Sequence, residues 1–461
     1  MVAGAPVLVR GVPERRLVVA RTSVAWVFAG SGFAFASLFA RMPAIRDLLG
    51  VSPGELGLLI LAVSAGAVTA LPTAGAVVRL LRPAGTVLVG MLFMCTGLAV
   101  VATVMSPGVL FGVGLFAIGM GSGTWDVAMN VEAADVEKRL GRPIMPRFHA
   151  GWSLGSVAGA GCGALVAAAG MGVTPHLLLA TALVGCVVVV SVRRFLSAPR
   201  LLATLRLPRA LSLSSTPSAL STPSTRPGPE REDAVPDGRA AESAGTDRED
   251  ASWSGAGAPD GSDGGLLSAW RERRTLLVGL LALGMGFAEG SANDWLAVGI
   301  VDGYGVEHAV GAAGFGVFVA AMTAGRLAGT PALERFGRVR ALRGSALLVL
   351  AGVILVVSGS AVSDRTLAAG LAVGALGAVV WGVGASLGFP VAMSAAADEQ
   401  DRAAARLSVV ATLGYTAFLA GPPLLGRLAD HVGVIPALLA VSGAVLLSLV
   451  VAGAARPPVR G

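Results

Sequence analysis

Charged residues are scarce in this sequence. Only 14% of its 461 residues are Asp, Glu, Lys or Arg, whereas 54% are hydrophobic. A soluble globular protein carries about 25% charged residues. The mean hydropathy of +0.75 and the long uncharged runs are typical of an α-helical protein that crosses a membrane many times. This composition excludes most cytosolic enzymes, nucleic-acid-binding modules and disulfide-stabilised secreted domains.

Cysteine is nearly absent, and the usual catalytic motifs are missing. The three cysteines lie inside apolar runs, where an odd number gives neither a disulfide framework nor a metal site. The sequence has no Gly-x-Ser-x-Gly elbow, no phosphate-binding loop ending in Lys-Ser or Lys-Thr, and no paired Cys or His at metal-ligand spacing. We therefore expect no enzymatic activity, no cofactor and no bound metal.

Twelve apolar runs are long enough to cross a bilayer. A helix needs about 20 apolar residues to span about 30 Å of hydrocarbon. The sequence therefore predicts an all-α polytopic membrane protein of two six-helix halves. The predicted spans are 22–40, 55–78, 84–104, 108–130, 149–170, 174–192, 275–300, 309–330, 341–361, 366–390, 405–426 and 433–455.

The basic residues predict the orientation of these spans. If both termini are cytoplasmic, nearly all Arg and Lys residues fall in cytoplasmic segments, and only Arg41, Arg46, Arg365 and Arg427 fall outside. Cytoplasmic loops of membrane proteins are enriched in Lys and Arg. We therefore expect a multi-pass protein of a bacterial plasma membrane, the inner membrane, with its N- and C-termini in the cytoplasm.

A polar segment separates the two halves. It is rich in Ser, Pro, Gly and acidic residues, and such a composition buries too little apolar surface to fold. The repeated Val-Ala-Met at Val127–Met129 and Val391–Met393 supports duplicated halves. The expected parts are a cytoplasmic N-terminus (1–21), an N-terminal bundle (22–192), a largely disordered cytoplasmic linker (193–274), a C-terminal bundle (275–455) and a cytoplasmic C-terminus (456–461).

Three acidic residues lie well inside the predicted spans, away from their ends. Asp126 lies in span four with Asn130 one turn further along the same face, and Glu289 and Asp294 lie in span seven. A charged side chain at the centre of a span costs roughly 2.5–3.5 kcal/mol on insertion scales. Desolvation favours the neutral form of a carboxyl, so each acid is a candidate for proton coupling or ligand binding. The alternative is that each only braces neighbouring helices through hydrogen bonds.

A histidine and two tryptophans complete the set of candidate substrate-binding or coupling residues. His149 opens span five, where it can pair with Asp126 or serve only as an interfacial residue. Trp125 and Trp381 can stack on a ligand, although Trp is also enriched at membrane interfaces.

Twelve spans in two halves with a long central loop resemble the major facilitator superfamily. That superfamily carries the loop signature Gly-x-x-x-Asp-Arg-x-Gly-Arg after spans two and eight. The later copy here is TPALERFGR, with Glu334 at the acid and Arg335 and Arg338 at the basic positions, whereas Thr330 replaces the glycine. The resemblance implies that Glu334, Arg335 and Arg338 form an inner gate. The earlier copy, GAVVRLLRP, is degraded.

Further strings resemble one bacterial subgroup. FARMPAIRDLLGVS, GTWDVAMN, EGSANDW and YTAFLAGPPLLGRLAD are similar to the rhizopine-cluster membrane protein and to fucose permease-like transporters. The position of Asp126 matches an acid that acts in proton coupling and ligand contact in fucose permease. The acid of that permease's first span has no counterpart here.

The resemblance implies secondary active transport by alternating access. We expect a proton-coupled transporter of a small, sugar-like solute, with protons and membrane lipids as its other partners, no nucleic acid, and a monomeric state. The alternatives are an exporter of drugs or antibiotics and a non-transporting membrane sensor or scaffold.

Overall fold

The computed structural model describes residues 13–104, 106–141, 144–198, 266–398 and 402–457. Most of the predicted linker therefore lies outside the described residues. The helices are α1 (Glu14–Ala40), α2 (Met42–Leu49), α3 (Pro53–Thr103), α4 (Val109–Leu140), α5 (Met145–Ala168), α6 (Val173–Val192), α7 (Leu266–Ala269), α8 (Arg273–Tyr304), α9 (His308–Leu327), α10 (Gly329–Phe336), α11 (Arg338–Ser363), α12 (Leu367–Ala385), α13 (Gly388–Ala396), α14 (Ala403–Val432), α15 (Val434–Ala437) and α16 (Ala440–Val451), followed by a 3₁₀ turn (Ala452–Ala455).

Helix α3 contains two membrane spans. Its 51 residues would extend about 75 Å if straight, more than twice the thickness of the hydrocarbon core. Arg82 has φ 60° and ψ 164°, and this extended, positive-φ residue before Pro83 reverses the chain. Eleven helices of the described residues are long and apolar enough to cross a membrane when α3 is counted once. Its division at Arg82 gives twelve crossings, which confirms the predicted fold class.

Glycines allow the helices of one half to pack at backbone contact. A Cβ on Gly119 of α4 would lie 1.9 Å from the carbonyl oxygen of Val63 on α3. A Cβ on Gly90 would lie 2.8 Å from the backbone nitrogen of Trp125. Small residues permit such close approach between helices in lipid. The glycine-rich stretch of span four therefore serves helix packing.

The two halves meet along α3 and α14 and along α5 and α9. A Cβ on Gly57 of α3 would lie 2.4 Å from the carbonyl oxygen of Pro422 on α14. Both residues lie towards the end of the bundle that carries α2, which we call the α2 end. The opposite end carries the start of α1 and the end of α6, and we call it the termini end.

Candidate functional site

A central cavity lies between the two halves. Its volume is about 310 Å³, at the lower limit of the range usual for small-molecule sites. Helices α1, α3, α4 and α5 of the N-terminal half and α8 and α14 of the C-terminal half all contribute to its wall. The polar or ionisable lining residues are Ser64, Ser122, Asp126, Trp152, Glu289, Asn293, Asp294 and Tyr415.

Asp126 projects into this cavity from the middle of α4. Its carboxylate accepts a hydrogen bond from the Asn130 side-chain nitrogen at 3.2 Å, and that nitrogen also donates to the Asp126 carbonyl oxygen at 2.9 Å. No described residue forms an ion pair with Asp126. The predicted neighbour Asn130 is therefore in place, and the carboxyl group remains open to a bound proton or ligand.

Asp294 faces the same cavity from α8. Its exposed fraction is only 9%, and it lines the cavity wall together with Asp126. Within the described ranges, no hydrogen-bond or ion-pair partner approaches its carboxylate. The structure therefore brings all three predicted acids to one cavity wall, and two of them, one from each half, have no ion-pair partner among the described residues.

Glu289, the third acid, is engaged in an ion pair. The Arg326 guanidinium on α9 donates to its carboxylate at 2.7 Å, and Glu289 is 9% exposed. Arg326 was expected among the basic residues of the cytoplasmic face. It lies instead within the last two turns of α9, and its side chain reaches back into the bundle to Glu289. The missed signal was its placement inside the predicted span 309–330.

His149 does not pair with Asp126. Both residues are described, and no hydrogen bond or ion pair joins them. The imidazole instead packs edge-on against Phe28, with ring centroids 5.3 Å apart, and lies within electrostatic range of Arg326. Arg326 belongs to the other half, so His149 lies near the interface between the halves.

The two predicted tryptophans lie outside the cavity wall. Trp125 and Trp381 are fully buried, and Trp381 packs edge-on against Phe318 with ring centroids 5.9 Å apart. The backbone of each lies against a glycine of a neighbouring helix, Gly90 for Trp125 and Gly352 for Trp381, so both tryptophans belong to close helix contacts within one half. Trp152 of α5 is the indole that lines the cavity, next to Phe35 at 6.4 Å.

The predicted inner-gate residues occupy the termini end of the C-terminal half. Arg338 binds Asp398 through two contacts of 2.9 Å, and Arg274 binds the same carboxylate at 2.7 Å. Arg335 lies over the ring of Phe336 at 5.5 Å and meets no acid among the described residues. Glu334 lines a surface groove with Arg338. All of the partners of these residues in the structure belong to the C-terminal half.

The hydrogen bonds between the halves cluster at the α2 end and at the cavity. Arg46 on α2 binds Asp302 at the end of α8. The Asp47 carboxylate accepts a hydrogen bond from Nε2 of His308 at 2.8 Å, and the Asp430 carboxylate accepts one from the Gly54 backbone nitrogen at 2.9 Å. In the part of the chain that the structure describes, no such bond joins the halves at the termini end.

The hydrogen bonds at the α2 end change the pKa of Asp47. Partial burial favours its neutral form, but the hydrogen bonds with His308 and Arg46 outweigh that effect, so the pKa of Asp47 lies below its ordinary value. The pKa of Arg46 is raised, chiefly by its hydrogen bond to Asp302. The Asp47 carboxylate at the α2 end is therefore ionised near neutral pH.

Glu132 is a buried acid that the sequence analysis did not select. Helix α4 continues to Leu140, beyond the predicted span end at 130, and places Glu132 inside the N-terminal half at 1% exposure. Its carboxylate accepts hydrogen bonds from the backbone nitrogens of Leu196 at 2.5 Å and Ser197 at 3.4 Å. Glu132 therefore fixes the end of α6 and lies apart from the cavity.

Known proteins resemble this chain over most of its length. An uncharacterized transporter, y4wD of Sinorhizobium fredii, is 30% identical over 444 residues, which cover 94% of this chain and 99% of that protein. Membrane protein MosC of Rhizobium meliloti is 29% identical over 170 residues, covering 37% of this chain and 40% of its own length.

A solved structure shares the fold. A crystal structure of a variant of the E. coli fucose:proton symporter FucP aligns with a TM-score of 0.55 and 16% identity, covering 96% of this chain and 100% of that chain. These likenesses agree with the subgroup resemblance of the sequence. The profile of the Major Facilitator Superfamily matches residues 24–422. The chain therefore belongs to the Major Facilitator Superfamily, and it is a multi-pass membrane transporter and not an enzyme.

Proposed function

We propose that this chain is a proton-coupled secondary transporter of a small organic solute in a bacterial inner membrane. The observation that carries the proposal is the central cavity, in which Asp126 of one half and Asp294 of the other lack cationic partners among the described residues. A carboxyl in such a site binds a proton reversibly at modest cost. Rocking of the halves about this cavity gives alternating access.

The arrangement of contacts supports an inward-open state. The halves are joined at the α2 end by Arg46–Asp302 and by Asp47–His308. The distribution of basic residues assigns the termini end to the cytoplasm. Under that topology, these contacts between the halves lie on the outer side of the cavity, and none of the described hydrogen bonds or ion pairs joins the halves on its cytoplasmic side.

We assign Asp126 as the principal coupling acid. It has a single side-chain partner, the neutral Asn130, so gain or loss of a proton breaks no ion pair. Glu289 differs because Arg326 already compensates its charge. Asp294 is the second candidate carrier, since it shares the cavity and has no such partner in the described ranges.

The solute is expected to be small. Ser64, Ser122 and Asn293 offer hydrogen bonds to hydroxyl groups, and Trp152 offers an aromatic face for a sugar-like ring. The rest of the wall is largely apolar, with Ile60, Val63, Val68 and Leu71 on α3. That apolar lining favours the second candidate function, which is export of an amphipathic drug-like compound.

Transport in proteoliposomes tests the coupling. Addition of a transported solute should change the internal pH, and Asp126→Asn should abolish accumulation against a gradient while it retains solute-for-solute exchange. The matched control is Asp135→Asn on the same helix, since Asp135 pairs with Arg139 away from the cavity. Wild-type accumulation with an unchanged pH profile in Asp126→Asn would remove Asp126 from the coupling role.

A further inference from the structure

The cavity carries more negative than positive charge. Three carboxylates line it, from Asp126, Glu289 and Asp294. The nearest described guanidinium, that of Arg326, is bound to Glu289 at 2.7 Å. One carboxylate from each half is therefore left without a compensating cation.

Asp294 shows this excess of negative charge most clearly. The residue is 9% exposed, and its carboxylate faces the cavity without a partner in the described part of the chain. A buried, unpaired carboxylate costs several kcal/mol unless a cation or a proton compensates it. A positively charged occupant of the cavity would supply this compensation when the carboxyl carries no proton.

Aromatic side chains surround the acids. Phe35 and Trp152 belong to the N-terminal half, and Tyr415 and Phe418 belong to the C-terminal half. Tyr415 lies within electrostatic range of Asp126. Faces of aromatic rings attract ammonium groups and apolar bodies alike, so the wall suits a cation attached to a compact organic body.

We propose that the substrate of this cavity is a small organic cation, a protonated amine held between Asp126 and Asp294. This inference rests on the proposed function and names its substrate class. A carboxyl of this pair that carries a proton must first release it to water, and the carboxylate that remains then binds the ammonium group. Amine and proton therefore compete for the same carboxyls, and transport exchanges one for the other.

Binding of matched amine and alcohol pairs to the purified full chain tests the proposal. The probes are phenethylamine against 2-phenylethanol and glucosamine against glucose, titrated calorimetrically near neutral pH. At least one amine should bind about ten- to a hundredfold more tightly than its alcohol, as expected for a charge-assisted hydrogen bond. Equal binding of amine and alcohol, or no binding by either amine, would overturn the proposal.

Charge-neutralising variants locate the effect. Asp126→Asn and Asp294→Asn should each remove most of the preference for the amine, and Asp135→Asn should keep it. If one cavity variant does not fold, the other still decides, because each half contributes one acid. An amine preference that survives in both variants would place the cation elsewhere and refute the assignment.

The two proposals fail in different ways. These binding measurements need no membrane and no gradient, so they are independent of proton coupling. Proton-coupled flux of glucose without any amine binding would retain the proposed function and refute the cationic substrate. Amine binding without proton flux in proteoliposomes would retain the cationic substrate and refute the proposed proton coupling.

Discussion

The two ends of the bundle are held in different ways. At the α2 end, Arg46–Asp302 and Asp47–His308 join one half to the other. At the termini end, the described ion pairs stay within one half. Asp398 binds Arg274 and Arg338, and Glu272 binds Arg402. Bonds within a half keep it rigid, whereas bonds between halves would have to break in the alternating-access cycle that we propose.

Contacts within a half and contacts between halves are expected to differ in strength. Contacts inside a half can be tight and buried, since nothing requires them to open. In the proposed cycle, contacts between halves must be weak enough to break. The side chains of Asp47 and His308 are 46% and 40% exposed, whereas those of Arg46 and Asp302 are 13% and 29% exposed. An exposed ion pair contributes about 0–1 kcal/mol. Variants at the two kinds of contact should therefore separate the stability of each half from the balance between open and closed states.

The largest effect is expected for Gly119→Val. Its Cβ would lie 1.9 Å from the Val63 carbonyl oxygen, so α3 and α4 must move apart within the N-terminal half. We expect a loss of stability of about 3 kcal/mol, measured as a lower thermal unfolding midpoint in detergent. Gly112→Val on the same helix has open space around its Cβ and should unfold as the wild type does. Equal midpoints for both variants would contradict the close packing of α3 and α4.

Gly57→Val should change conformation more than stability. A Cβ there would lie 2.4 Å from the Pro422 carbonyl oxygen in the other half, so the closed α2 end is disfavoured while each half stays intact. A Val68→Cys reporter in the cavity, in a chain without the native cysteines, should react faster with an impermeant maleimide from the α2 side. Gly75→Val, with open space at its Cβ, is the control. An unchanged labelling rate in Gly57→Val would show that this contact does not close the α2 end.

Arg46→Gln should loosen the α2 end by a smaller amount. It removes the bond to Asp302 and the neighbouring bond to Asp47. Because water weakens partly exposed ion pairs, we expect the free energy of the closed state to rise by about 1 kcal/mol relative to the open state. This corresponds to about a fivefold change in the ratio of open to closed states. Spin labels at the exposed residues Leu48 and Val432 report the ratio through their distance distribution. The control is Arg139→Gln, which breaks a pair within α4 and should leave that distribution unchanged. A shift in Arg139→Gln as large as in Arg46→Gln would contradict the distinction between ion pairs within a half and ion pairs between halves.

Acidification should give the smallest effect. Because the closed α2 end lowers the pKa of Asp47, its contribution is present above about pH 4 and is lost as the pH falls through the lowered value. The same spin-label distances should therefore lengthen only below about pH 4. Asp47→Asn should remove this acid-dependent component, and a transition of unchanged size in Asp47→Asn would assign it to another carboxyl.

Part of the candidate site could be predicted because charge in lipid is costly. Asp126, Glu289 and Asp294 stand out in apolar runs, and the structure places all three on the cavity wall. Asn130 could be predicted as the neighbour of Asp126 from its spacing on one helix, but the partner of Glu289 could not. Arg326 resembles a loop arginine in sequence, and only the packing of α9 on α8 brings it to Glu289. Trp152 and Trp125 are equally plausible in sequence, and only helix rotation decides that Trp152 lines the cavity.

The sequence by itself determined the class of the protein and the number of its crossings, because apolar length and scarce charge leave few structures that satisfy the backbone in lipid. It also determined that acids lie at membrane depth. Only the tertiary structure decided which acid is neutralised, which remains open, and that the described bonds between halves gather at the α2 end. Those outcomes depend on how distant helices approach and rotate against each other, and local sequence patterns do not encode that geometry.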